Sequence, residues 1–127
     1  MYEHTVSRIA IYILSIVMIA FGIYHFLFPK NLIVYVPDYI PGGLAWIYIV
    51  GTAFILAAIA FIINRYARVA GYLLALMLFC FVLTVHLANY LNSGELEMRQ
   101  LALVNMLKDL ALGAFALHIA ANAKTVE

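Results

Sequence analysis

Long apolar runs separated by short polar punctuation organise this chain. The first run, 9–28, lies between Arg8 and Lys30, and the second, 44–63, follows Pro41-Gly42-Gly43. The third, 69–91, runs from Arg68 to the polar stretch Asn92-Ser93-Gly94-Glu95. The fourth, 101–121, is interrupted only by the adjacent pair Lys108 and Asp109. Each run has the roughly 20 residues an α-helix needs to cross a bilayer, and a helix satisfies its own backbone polar groups in hydrocarbon. The pattern predicts an all-α integral membrane protein, an antiparallel four-helix bundle forming a single domain. The short connection 64–68 makes the second and third helices antiparallel neighbours. Asn92, three residues before Glu95, predicts a helix N-cap with a carboxylate at N3, so the fourth helix is expected to begin outside the membrane. The first run is too long for a signal-peptide core and no small-x-small site follows it, so it is read as retained. No internal repeat or low-complexity segment is evident. His4 and residues 122–127 read as tails.

The connection 29–43 is too apolar for a solvated loop. It holds Leu32, Ile33, Val34, Tyr35 and Val36, then two prolines around Asp38-Tyr39-Ile40. It is expected to lie in the membrane interface, either capping one end of the bundle or serving as a plain hydrophobic connector. Tyr35, Tyr39, Trp46 and Tyr48 form part of an aromatic belt at that end.

Composition narrows the class. The chain is 68% hydrophobic and 10% charged, far from the balance of a soluble domain. A net charge of +1 offers no basic surface for nucleic acid. Cys80 is the single cysteine, so no internal disulfide or Cys-x-x-Cys chemistry is available. Arg8, Arg65, Arg68 and Lys124 fall on the side of the termini, against Lys30 and Arg99 opposite. The positive-inside rule therefore puts both termini in the cytoplasm.

The intramembrane polar residues are the best pointer to a site. A charge at the centre of a membrane helix costs roughly 2.5–3.5 kcal/mol on insertion scales. Lys108 and Asp109 therefore need partners. His25 lies near the end of the first run and His86, Asn89 and Tyr90 near the end of the third. Asn105, Lys108 and Asp109 lie near the start of the fourth. At ~1.5 Å per residue, all fall within about 4–13 Å of the same boundary. Asn105 projects between Lys108 and Asp109, and His86, Asn89 and Tyr90 share an i, i+3, i+4 face. Lys108 and Asp109, as sequence neighbours, face each other poorly, so the expected pairing is Asp109 with His25 or His86, and Lys108 with a ligand or a loop carbonyl. The plain alternative is a structural bridge at Asp109, with Lys108 snorkelling to the surface. His118 lies apart, in the other half, and reads as a packing residue, while Thr84 is expected to bond its own helix backbone. His25 and His86 also admit axial haem ligation, or a metal with Asp109. The chain has no His pair at i, i+4, no Glu-x-x-His and no Cys motif, so haem or metal is the weaker reading and no metal ligand is assigned.

Gly22-Ile23-Tyr24-His25-Phe26-Leu27-Phe28-Pro29, Val36-Pro37-Asp38-Tyr39-Ile40-Pro41, Trp46 with Tyr48-Ile49-Val50-Gly51, and the Arg65/Arg68 loop together resemble the DoxX-like family of small four-helix membrane proteins. Many relatives carry a glutamate shortly after the glycine of helix two, where this chain has Thr52-Ala53-Phe54-Ile55. The resemblance implies a bacterial inner-membrane protein, linked by the family's name to a thiosulfate:quinone oxidoreductase. Three functions compete. The first is a redox-linked accessory subunit with a small-molecule site, a quinone being the named candidate, alongside a membrane or redox protein partner. The second is a non-enzymatic scaffold or assembly factor whose polar cluster is structural. The third is a proton-linked carrier, for which a single chain shows no continuous path although a homo-oligomer would supply one. Whether the chain is itself an enzyme is left open.

Overall fold

The computed structural model describes residues 2–123. Four helices are long and apolar enough to cross a membrane: α1 (Tyr2–Leu27), α2 (Leu44–Ile63), α3 (Ala67–Asn92) and α4 (Leu96–Asn122). No strand occurs among the described residues. Their outward faces are aliphatic, with Ile16 65%, Leu73 61% and Leu83 65% exposed, a surface suited to lipid and not to water. This is a multi-pass membrane protein.

Helix boundaries run past the apolar stretches into flanking polar residues. α1 includes His4, so that residue is no tail. α3 continues through Asn92, which therefore cannot cap α4. Glu95 is the N-cap instead, with extended backbone, and its N–H donates to Ser93 Oγ at 3.2 Å. Lys124, counted above among the basic residues on the side of the termini, lies outside the described residues, as do 125–127.

The helices pair as two hairpins, α1 with α2 and α3 with α4, joined where α2 meets α3. Lipid tails are as apolar as leucine, so helices associate by close packing rather than by escape from water. Small residues permit it. A Cβ on Gly22 would lie 2.8 Å from Gly51 O, and one on Gly51 would lie 2.9 Å from His25 Cβ. In the second hairpin a Cβ on Gly71 would lie 2.7 Å from Ala116 O. Met18, Ala58, Phe61, Ala75, Leu78 and Ala116 fill the core between the hairpins.

Arginines close the end of the bundle that carries the termini. Arg8 Nη2 donates to Phe61 O at 3.0 Å and Ile62 O at 3.2 Å, while Arg68 Nη2 donates to Ala123 O at 3.0 Å. Each satisfies carbonyls that the end of α2 or α4 leaves unpaired, with the charge sign the helix dipole favours there. Asn64 and Tyr66, with φ of 55° and 58°, turn the chain tightly from α2 into α3.

A repeat hidden in the sequence emerges from burial. Arg8, Tyr12, Leu14, Met18 and Phe21 of α1 recur at a constant offset as Arg68, Tyr72, Leu74, Leu78 and Phe81 of α3, and the buried Leu14, Ser15 and Met18 match the buried Leu74, Ala75 and Leu78. The buried Ile47, Gly51, Phe54, Ala57 and Ala58 of α2 likewise match Asp109, Gly113, Ala116, Ile119 and Ala120 of α4. The offset slips by one residue only within α3, at the π-helical turn Val82–His86. A π-turn absorbs one extra residue locally. His86 then corresponds to His25.

Gly51→Leu is expected to lower stability by about 1–3 kcal/mol, the usual cost of overpacking a tight contact. Gly94→Ala, which meets nothing within 4 Å, should leave it unchanged. Thermal unfolding of both variants in detergent or bicelles checks this.

Candidate functional site

The half of the bundle away from the termini carries a half-open cavity of about 890 Å³ between the two hairpins. Its size lies within the range of roughly 300–1,000 Å³ typical of small-molecule sites. All four helices contribute, and the 29–43 connection supplies a further wall through Asn31, Tyr35, Val36, Tyr39 and Ile40.

That connection is structured. Pro29–Leu32 forms one helical turn and Ile33–Tyr35 a 3-10 turn. Proline at the start of the turn costs no hydrogen bond. Gly42 and Gly43, with φ of 108° and 50°, then lead into α2 through a backbone that only glycine adopts freely. Asn89 Nδ2 of α3 donates to Tyr35 O at 2.6 Å, and the Tyr39 hydroxyl donates to Thr84 O inside the π-turn. Trp46 Nε1 donates to Pro41 O. The segment is thus fastened to α3 over the cavity, which selects the capping form of the two expected for it.

One polar group dominates the floor. Asp109 Oδ2 accepts from His86 Nε2 at 2.8 Å, linking α4 to α3, and the two side chains are only 7% and 13% exposed. Lys108 Nζ lies 3.7 Å from Asp109 Oδ1 and 4.9 Å from the centre of the Phe21 ring on α1. Asp109 thus takes its close partner from another helix, as expected, while Lys108 adds a looser ion pair from the neighbouring position. A long flexible stem lets the ammonium fold back along its own helix while its charge rests on an aromatic face. With a carboxylate accepting from Nε2, the neutral His86 ring carries its lone pair on Nδ1. That atom is buried and finds no hydrogen-bond partner among the described residues.

Of the two histidines expected as partners of Asp109, His86 takes that place and His25 bonds elsewhere. Its Nδ1 donates to Phe21 O at 2.6 Å, one turn back along α1, so the lone pair of the neutral ring lies on Nε2. The ring packs against Phe54 with centroids 5.7 Å apart.

The structure brings His25, His86, Asn105, Lys108 and Asp109 together on the cavity and leaves Asn89 and Tyr90 off it. Asn89 faces the connection. Tyr90 belongs to the end of the bundle, where its carbonyl accepts from Arg99 Nε at 3.0 Å and its ring stacks under the same guanidinium. His86, Asn89 and Tyr90 lie on continuous α-helix after the π-turn, but an i, i+3, i+4 arc spans both the cavity and the side of α3 that meets the connection. Tyr24, Tyr39, Trp46 and Thr84 also line the cavity and were not among the sequence candidates. The sequence places Tyr39 and Trp46 in the interfacial aromatic belt, whereas Tyr24 and Thr84 carry no comparable signal. Thr84 Oγ1 donates to Cys80 O at 2.8 Å, as expected. His118 lies away from the cavity, its carbonyl accepting from Asn122 at 2.8 Å. No group of three or more His, Cys, Asp or Glu able to hold a metal ion occurs among the described residues.

Residues 14–121 match the family described as a domain of unknown function (DUF8561), and the chain belongs to that family. No curated protein and no solved structure matches it.

The His86–Asp109 link should appear as coupling in a double-mutant cycle. Asp109→Ala and His86→Phe are each expected to destabilise the protein. The double variant should recover about 1–2 kcal/mol relative to their sum, measured by denaturation in bicelles. Asn89→Ala should raise amide exchange across 33–40 with little effect on the helices, read by hydrogen–deuterium exchange.

Proposed function

We propose that this protein holds a small aromatic molecule in the cavity beneath the 29–43 connection, with a quinone-type headgroup as the best-fitting class, and acts as a redox-linked accessory subunit. The observation that carries this reading is the unpartnered, buried Nδ1 of His86, oriented by a carboxylate behind it on a cavity with aromatic walls. Nearly all buried polar atoms in proteins are hydrogen-bonded, and those that are not tend to mark binding or catalytic roles. A carboxylate–histidine pair is a suitable proton acceptor, because the carboxylate fixes the tautomer and stabilises the ring when it gains a proton. Phe21, Phe54 and Trp46 offer flat apolar surfaces to a ring, and the aliphatic walls suit an apolar tail. His25, Asn105 and Lys108 add polar contacts at the same depth. The resemblance of the Gly22–Pro29 and Val36–Pro41 segments to the DoxX-like family points the same way, and with it a bacterial inner membrane with both termini cytoplasmic and a redox protein as partner.

A second reading has its own support. The His86–Asp109 bond, Arg8 on α2 and Arg68 on α4 all tie helices together, which suits a scaffold or assembly factor with a structural polar core.

Gentle purification followed by mass spectrometry of extracted small molecules separates the two. The expected result is a stoichiometric quinone with wild-type protein and its loss in Asp109→Asn. Nothing bound to the wild type, together with reduced stability of the variant, would transfer the assignment to the scaffold.

A further inference from the structure

The cavity does not end at its polar floor. On the flank where α3 meets α2 it is lined by Leu73, Leu76, Met77 and Cys80, and three of these, Leu73, Leu76 and Cys80, are exposed on the outside of the bundle. A second groove of about 460 Å³ lies between α2 and α3 in the half that carries the termini, and Leu73 and Met77 line it too. The two spaces adjoin at these side chains. Ala53, Ala57 and Ala60 recur at i, i+4, i+7 along the α2 wall of the groove, where small side chains leave room between the helices. Its only polar side chains are Arg65 and Tyr66 at the far end. At ~1.5 Å per residue, Ala53 and Met77 each lie about 15 Å from the turn that joins α2 to α3, so the groove runs through half the bundle. The opposite approach to the cavity is roofed by the 29–43 connection, held down by Asn89 and Tyr39.

A polar chamber under a fastened roof, open sideways to lipid and prolonged by an apolar groove, has the shape of an amphiphile with one head and one long tail. We propose that the ligand is dissolved in the bilayer and enters between α2 and α3, its head in the cavity and its apolar tail laid along the α2–α3 groove towards Tyr66. This rests on the reading of the cavity as a quinone-type site and adds the class of quinone, one with a long tail, together with its route and the place of the tail. A tail that moves from lipid into the groove exchanges one apolar environment for another, so escape from water contributes nothing. Affinity therefore resides in the head and its polar contacts, and the groove decides where the tail lies.

The test uses the full chain in nanodiscs, freed of co-purified molecules. One probe is a benzoquinone whose long saturated tail ends in a photoreactive diazirine. A second has the same tail and diazirine on a plain alcohol head. Irradiation followed by peptide mass spectrometry locates the tail. The quinone probe should label residues within 53–77, lose that labelling to excess unlabelled long-tailed quinone, and exceed the alcohol probe about tenfold, the worth of one to two net hydrogen bonds at the head. Ala53→Phe, which fills the junction of the two spaces, should lower the labelling about tenfold. In the same variant a tail-less benzoquinone should still quench Trp46, the chain's one tryptophan and part of the cavity wall, in a saturable manner. Competed labelling outside 53–77 would overturn the path of the tail and leave the site standing. Equal, uncompeted labelling by both probes would overturn the path too, as the mark of ordinary lipid contact. If saturable quenching of Trp46 were also absent, the quinone-type site itself would fall. The wild-type protein decides between these outcomes whether or not the variant folds.

Discussion

A carboxylate in the apolar interior must be met by a donor on another helix, and at Asp109 that requirement governs how the bundle closes. Burying an isolated charge costs several kcal/mol even after relaxation. His86 Nε2 meets Asp109 across the α3–α4 interface at 2.8 Å, and Lys108 approaches the other carboxylate oxygen. The bond can form only if the two helices lie close together, and Gly71, Ala116 and Ala120 supply the close approach further along the same pair. Electrostatic need and steric permission thus act on one interface. The rest of the site depends on it, because the same bond determines which nitrogen of His86 faces away from Asp109.

The two hairpins share one plan and differ where chemistry is placed. Both begin with an arginine that closes the far end of the partner helix, and both bury the same succession of positions. The first keeps Ile47 where the second has Asp109. The second carries an extra residue in α3, absorbed by a π-turn, so His86 retains the place that His25 holds in α1. Only the first hairpin has a long connection, and it is this segment that folds back onto the second, through Tyr39 on Thr84 and Asn89 on Tyr35. The outcome is a cavity with two matched histidines, one carboxylate and one wall fastened from across the bundle.

In such a site the direction of each hydrogen bond matters as much as its presence. Water is a poor competitor in a low-dielectric interior, so a mismatch of donor and acceptor is costly and a match is correspondingly discriminating. The tautomers of His25 and His86 follow from heavy-atom geometry, since a carbonyl and a carboxylate can only accept.

The amino-acid sequence by itself determined the number of helices, their membrane character and the depth at which the polar residues gather, because these follow from run length, rise per residue and the cost of charge in hydrocarbon. It also brought His86 and Asp109 together as candidates. Tertiary structure alone decided the partners. Depth along a helix says nothing about rotation between helices, so Asn89 and Tyr90 were grouped with His86 although Asn89 is held by the Tyr35 carbonyl and Tyr90 by Arg99, off the cavity. Side-chain flexibility brought Lys108 to Asp109 where a rigid helical wheel keeps neighbours apart. The repeat stayed hidden because it resides in a few buried positions and breaks register at one inserted residue. Burial is a property of packed helices and not of any one of them.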